Sequence, residues 1–231
     1  MKQENTLIAS GLCMLAILLL SAAITTDHAT WAMEVAPAVI AAPILVFTYR
    51  RFPLTSLLYG LIIAHALILI LGGTYTYARV PLGFWLQELF ALDRNPYDKI
   101  GHFAQGFVPA LIAREILLRG AYVSGRRVAA FLSICVAMAI SAWYELIEWW
   151  AALALGQGAD EFLGTQGDQW DTQSDMFLAL IGASLAMLLL SRMHDRQIAA
   201  LDRRISSREK LTSTGHRETV GAPSPDLQNG T

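Results

Sequence analysis

The chain has 231 residues, of which 55% are apolar and only 16% charged, with a mean hydropathy of +0.44. That balance leaves too few ionic groups to cover a water-facing surface, and it excludes collagen-like, disulfide-rich and wholly disordered chains. A net charge of −2 gives no basis for nucleic-acid binding.

A bilayer core of about 30 Å needs about 20 apolar residues per spanning helix. Six segments meet or approach this: Leu7 to Ile24, Trp31 to Phe47, Leu54 to Thr74, Phe103 to Leu118, Val128 to Leu155 and Asp175 to Leu190. The expected fold is therefore all-α, a polytopic membrane helix bundle of about six transmembrane helices, with five as the alternative count. The first segment is expected to stay as a span. Its rival reading is a signal peptide, with small residues at Ser21-Ala22-Ala23 and a weak basic region where Glu4 offsets Lys2. The second carries Pro37 and Pro43, tolerated where neighbouring helices cover the kinks. The fourth contains Arg114 and Glu115 and is a span by position more than by hydropathy. Arg114 is expected to snorkel to the interface, and Glu115 to pair with Arg119, four residues on. His65, midway along the third, reads as a hydrogen-bonded interior histidine. Cys13 and Cys135 lie in apolar runs and read as small packing residues.

Basic residues set the sidedness. With the N-terminus cytoplasmic, the inner side holds Lys2, Arg50, Arg51, Arg119, Arg126, Arg127, Arg192, Arg196, Arg203, Arg204, Arg208, Lys210 and Arg217. The outer side keeps Arg79, Arg94 and Lys99. Both termini are thus placed in the cytoplasm. The long outer loop, Tyr75 to Gly101, contains VPLGFWL followed by Leu89, Phe90 and Leu92, a pattern for one interfacial helix lying in the membrane plane. The second outer loop, Gly156 to Trp170, is acidic, with Asp160, Glu161 and Asp168. Residues 1–191 form the transmembrane domain. Residues 192–231 form a basic stretch suited to anionic lipid head groups, then a Ser-, Thr-, Gly- and Pro-rich tail expected to be disordered.

Three polar clusters converge on the outer boundary. Helix four enters through NPYDKIGH, helix five leaves through WYELIEWW, and helix six enters through GDQWDTQSD. Glu145 and Glu148 are three apart on one helical face, and Asp171 and Asp175 share another. His102 lies one turn into helix four. We take His102, Glu145 and Glu148 as candidate catalytic residues and Asp168, Asp171 and Asp175 as candidate metal ligands. An oxygen-rich set suits magnesium, manganese or calcium, and a histidine admits zinc or iron, so the candidate cofactor is a divalent metal ion. One carboxylate with His102 is equally an acid/base pair. Two plainer readings compete. Asp98 and Asp171 sit where helices begin and can act as N-caps. Glu145 and Asp175 lie deeper, where an unpaired charge costs about 3 kcal/mol or more, and can form ion pairs with His102, Lys99 or Arg94. Trp143, Trp149, Trp150 and Trp170 fit an aromatic belt. Gly182-Ala183-Ser184 offers small residues for close helix packing.

The stretches NPYDKIGHFAQGFVPALIAREILLR, SAWYELIEWWAALALG and QGDQWDTQSDMFLALIGA resemble the YjdF-type bacterial inner-membrane proteins over nearly the whole chain up to about residue 195. That resemblance implies a polytopic plasma-membrane protein and supplies no substrate or reaction. Helices four to six are more faintly similar to VanZ-like membrane proteins, with Asp98-Lys99, His102, Glu145, Asp175 and Gly182 as counterparts. The match departs where Glu148 stands for an expected Gln, and Leu178 or Ala179 for an Asn.

Three functions compete on this reading. The first is a metal-assisted enzyme working at the outer face on a lipid-linked or envelope substrate. The second is an accessory or scaffold protein whose polar cluster is structural. The third, a cation- or proton-coupled transporter, needs a polar path inward, for which only His65 and the Arg114/Glu115 pair are on offer. The sequence contains no nucleophile elbow, phosphate-cradling glycine loop, HExxH or paired CxxC that would name a chemistry.

Overall fold

A computed structural model of the protein describes residues 2–155 and 166–220, with side chains over 4–154 and 166–207. Among the described residues the fold is all-helical: α1 (Lys2–Ile24), α2 (His28–Thr48), α3 (Ser56–Tyr75), a 3-10 turn (Tyr77–Arg79), α4 (Pro81–Phe90), α5 (Tyr97–Arg119), α6 (Arg126–Leu155) and α7 (Asp171–Val220). Asp160, Glu161 and residues 221–231 lie outside the described residues.

Five helices, α1, α2, α3, α6 and α7, are long and apolar enough to cross a membrane. The sixth expected span, α5, falls short on hydropathy because it carries Asp98, Lys99, His102, Gln105, Arg114 and Glu115. Asp98, His102, Arg114 and Glu115 are all buried. It packs against α3, α6 and α7 as the axis of the bundle. Asp98 and Arg114 lie sixteen residues apart on it, about 24 Å along a helix, close to a bilayer core. The chain is a polytopic helical membrane bundle.

Two glycines let α5 and α7 run side by side. A Cβ at Gly106 would stand 1.9 Å from the Ala179 carbonyl oxygen, and one at Gly182 would stand 2.2 Å from the Phe103 carbonyl oxygen. Only hydrogen fits at either place. Gly182 thus does serve close packing, and Gly106 is its partner in that role. Around the contact lies an apolar layer that includes Leu54, Leu58, Ala110, Leu111, Ala137, Ala183 and Met187.

Below that layer is a buried ionic network. Glu115, fully buried, accepts hydrogen bonds from the Thr55 backbone N–H (3.0 Å), the Thr55 hydroxyl (2.8 Å) and Arg119 Nη1 (2.9 Å). His194 Nε2 lies 2.8 Å from Glu115 Oε2, and Arg114 Nη1 lies 3.3 Å from His194 Nδ1. Because guanidinium only donates, Nδ1 accepts and Nε2 carries the proton toward Glu115. Arg114 Nη2 completes the chain with a 2.6 Å bond to Asp195 Oδ1. The expected Glu115–Arg119 pair is present. Arg114 does not snorkel; its side chain is 2% exposed, because α7 supplies Asp195 as a partner inside the bundle. His194 and Asp195 belong to this interior network, although the sequence around them reads as a charged surface.

Helix α7 was expected to span as far as Leu190 and runs without a break to Val220. No glycine or proline occurs between Ala183 and Thr214, and the charged stretch is rich in good helix formers. Helix α4 exposes Leu82, Phe84, Trp85, Leu89 and Phe90, as an interfacial helix would. Trp143, Trp149, Trp150 and Trp170 are all about half exposed, in keeping with an aromatic belt. Cys13 and Cys135 are free and lie on the outer surfaces of α1 and α6 rather than packed inside.

The α1–α2 turn is closed by Asp27. Its Oδ1 accepts from the backbone N–H groups of Ala29 (3.0 Å) and Thr30 (3.1 Å), and its Oδ2 accepts from the Thr30 hydroxyl (2.6 Å). The Thr30 bonds hold this carboxyl below its ordinary value of 3.8. A depressed folded-state value stabilises the fold above that range and is lost as pH falls through it. Asp27→Ala is expected to lower unfolding stability by about 1 kcal/mol at neutral pH, read as a thermal shift in detergent. The difference from the parent should shrink on acidification.

Candidate functional site

The first turns of α5 and α7 and the C-terminal half of α6 bring the carboxylates together. Pro96 starts α5, and Asn95 Oδ1 accepts the Tyr97 backbone N–H at 3.0 Å, so Asp98 is not needed as a cap. Its carboxylate lies beside His102 one turn further along the helix instead, with Oδ1 3.4 Å from Nε2 at i,i+4 spacing. Asp175, one turn into α7, places Oδ2 3.8 Å from the same nitrogen. Glu145 on α6 places Oε1 3.7 Å from His102 Nδ1, which also meets Gln105 Oε1 at 3.1 Å. Asp98, His102, Glu145 and Asp175 are all buried.

Asp98, His102 and Asp175 each offer one ligand atom, and these atoms all lie within 4.8 Å of one another. Three carboxylate oxygens at this point, Asp98 Oδ2, Asp175 Oδ1 and Glu145 Oε1, are buried without a hydrogen-bond partner. Buried carboxylates are normally paired, ion-bound or neutral. The nearby cations do not fill that need. Arg94 is held by Asp168 (3.1 Å) and Asp171 (2.5 Å), and Lys99 donates to Ser174 at 2.5 Å. Asp168 also caps the turn before α7 through the Trp170 N–H at 2.9 Å.

Of the six residues singled out in sequence, His102, Glu145 and Asp175 thus come together, joined by Asp98. Asp168 and Asp171 instead clamp Arg94 at the rim. Glu148 faces an adjoining cavity of about 130 Å³, which Asp98 and His102 also line. The far wall of that cavity carries a residue the sequence reading overlooked. Glu34, on α2, is 2% exposed. Its carboxylate lies by the Tyr77 backbone N–H but has no well-formed hydrogen bond. A lone carboxylate in an apolar span was the signal for it. His65 lines the same cavity, and its Nε2 is buried without a partner, so it is not the hydrogen-bonded interior histidine expected.

Two arrangements of chemistry are open to these groups. Two carboxylates and an imidazole on one point can ligate a divalent cation, with Glu145 behind His102. Glu148 and Glu34 then stand across the cavity as groups able to hold or accept a proton.

The family described as "Predicted membrane protein (DUF2238)" matches residues 6–196. The chain is 62% identical over 189 residues to "Inner membrane protein YjdF" of Escherichia coli (strain K12), covering 82% of this chain and 90% of that protein. No solved structure matches.

Proposed function

The chain belongs to the DUF2238 family of inner-membrane proteins, and on that premise we propose that its outer-face site holds a divalent cation on Asp98, His102 and Asp175. We further propose that the cation assists hydrolysis or transfer on a lipid-linked or envelope substrate. The observation that carries this reading is the convergence of three buried ligand atoms within 4.8 Å, from two helices locked together by glycines. A structural polar cluster would instead pair its carboxylates internally. Here buried oxygens of Asp98, Asp175 and Glu145 are left over, which supports a missing positive partner.

When bound, the cation supplies Lewis acidity, polarising an oxygen of the substrate. Asp98 and Asp175 fix its place, and Glu145 and Gln105 orient His102 from Nδ1. Glu148 faces the reacting volume and is suited to take a proton from an attacking hydroxyl or water. Arg94, clamped by Asp168 and Asp171, anchors the loop before α5 to the start of α7 and so keeps Asp98 facing Asp175.

A transport role draws less support. The apolar layer of Leu58, Ala110, Leu111, Ala137, Ala183 and Met187 stands between the outer cavity and the Arg114–Glu115 network. The polar groups therefore form two sites at opposite faces rather than one path.

Elemental analysis of protein purified in mild detergent tests the reading. About one divalent cation per chain is expected, falling at least tenfold in Asp175→Asn and in His102→Ala. A chain free of metal when purified and after dialysis against manganese or zinc would overturn it.

A further inference from the structure

The cavity beside the triad has an uneven chemistry. Its wall carries three carboxylates, Glu34, Asp98 and Glu148, two phenols, Tyr77 and Tyr144, and no lysine or arginine. Its other ionisable groups are His65 and His102, so with Asp98 and His102 on the cation a positively charged ligand group is favoured beside Glu34 and Glu148. Asp98 belongs to the cation triad, whereas Glu34 stands on a different helix with both oxygens lacking a hydrogen bond of good geometry. Among the described residues, Glu34 belongs to no group of three His, Cys, Asp or Glu side chains close enough to hold a second metal. A buried carboxylate next to aromatic rings and without other ligands suits an organic ammonium group, held by a charge-assisted hydrogen bond and the ring faces.

The opening of the cavity points to where such a group comes from. Pro37 of α2 and Ile140 of α6 both line it, yet α2 packs on α3, and α6 on α5 and α7, with no packed α2–α6 interface among the described residues. Ile140 is 41% exposed, and Ile40, one turn from Pro37, is 61% exposed. The gap between these helices is therefore apolar and faces hydrocarbon. A volume of about 130 Å³ holds about four waters, room for a small head group and not for acyl chains or an oligosaccharide.

We propose that the Glu34 wall is the ammonium subsite for an aminophospholipid, whose head group enters from the outer leaflet between α2 and α6 while its acyl chains stay in the bilayer. This rests on the cation site proposed above, because the lipid phosphate needs a positive partner in a cavity without basic residues. Glu34 binds the ammonium, Glu148 and Tyr144 flank it, and Ile140 forms the sill. The site therefore selects zwitterionic head groups with a free ammonium over anionic ones.

The test uses the full chain in nanodiscs, exchanged against phosphatidylethanolamine or phosphatidylglycerol of identical acyl chains. Retained lipid is measured by native mass spectrometry, and cation content on the same samples by elemental analysis. The parent is expected to retain phosphatidylethanolamine about tenfold better. Glu34→Gln should remove that preference with cation content unchanged, and Ile140→Trp should reduce retention of both lipids by narrowing the entrance. Equal retention of the two lipids by the parent would overturn the subsite, as would an unchanged preference in Glu34→Gln or unchanged retention in Ile140→Trp. Free ethanolamine displacing the lipid at similar concentration would overturn entry from the bilayer. Preference without bound metal would contradict the cation site alone and leave the Glu34 subsite supported.

Discussion

Glu115→Ala is expected to lower stability by about 3–5 kcal/mol, the largest single loss in the bundle. Glu115 is the one acceptor for donors from three directions: the Thr55 backbone and hydroxyl at the start of α3, Arg119 on its own helix, and His194 on α7. Removing it leaves the Thr55 N–H and hydroxyl and the His194 Nε2–H buried without an acceptor, while Arg119 keeps only Asp202 and the Pro53 carbonyl. Unmatched donors at full burial cost more than the bonds themselves gained, because nothing in the interior replaces water. Arg119→Ala is expected to cost less, since Thr55 and His194 still satisfy Glu115. Denaturant or thermal unfolding in detergent reads both, and a Glu115→Ala variant within about 0.5 kcal/mol of the parent would contradict the assignment of this network as a fixed part of the fold.

Gly106→Leu is expected to act from one turn beyond the nearest ligand, His102, and still abolish cation binding. The Cβ position is already occupied by the Ala179 carbonyl, so α5 and α7 must separate to admit any side chain. Overpacking of this kind costs about 1–3 kcal/mol, and more where backbone meets backbone. Asp98 and His102 ride on α5 and Asp175 on α7, so separation breaks the triad before it breaks the bundle. Loss of metal with helical content retained is the expected result, measured by circular dichroism beside elemental analysis. Retention of both metal and stability would show that the glycine contact does not set the site.

The spans were legible because hydropathy is summed over twenty residues, and the errors were made by single polar residues within them. Glu34 escaped notice since nothing in α2 marks the cavity that it lines together with residues of α5 and α6. His194 and Asp195 read as a solvated charge run, because helix continuity past Leu190 was needed to place them opposite Arg114. Helical spacing did put Asp171 with Asp175. It could not show that Arg94, in a loop seventy-seven residues earlier, takes Asp171 and leaves Asp175 to His102. Asp98 looked like a cap from its position, and only the local bond from Asn95 to the Tyr97 N–H shows that the helix start does without it. Local pattern thus located most members of the polar cluster, whereas partner choice came from packing.

The central claim is that Asp98, His102 and Asp175 hold one divalent cation. X-ray absorption at the edge of manganese or zinc bound to the purified chain tests it most directly. The account predicts a first shell of oxygen and nitrogen with no sulfur, together with imidazole outer-shell scattering that disappears in His102→Gln. An all-oxygen shell that is the same in the parent and in His102→Gln would contradict it.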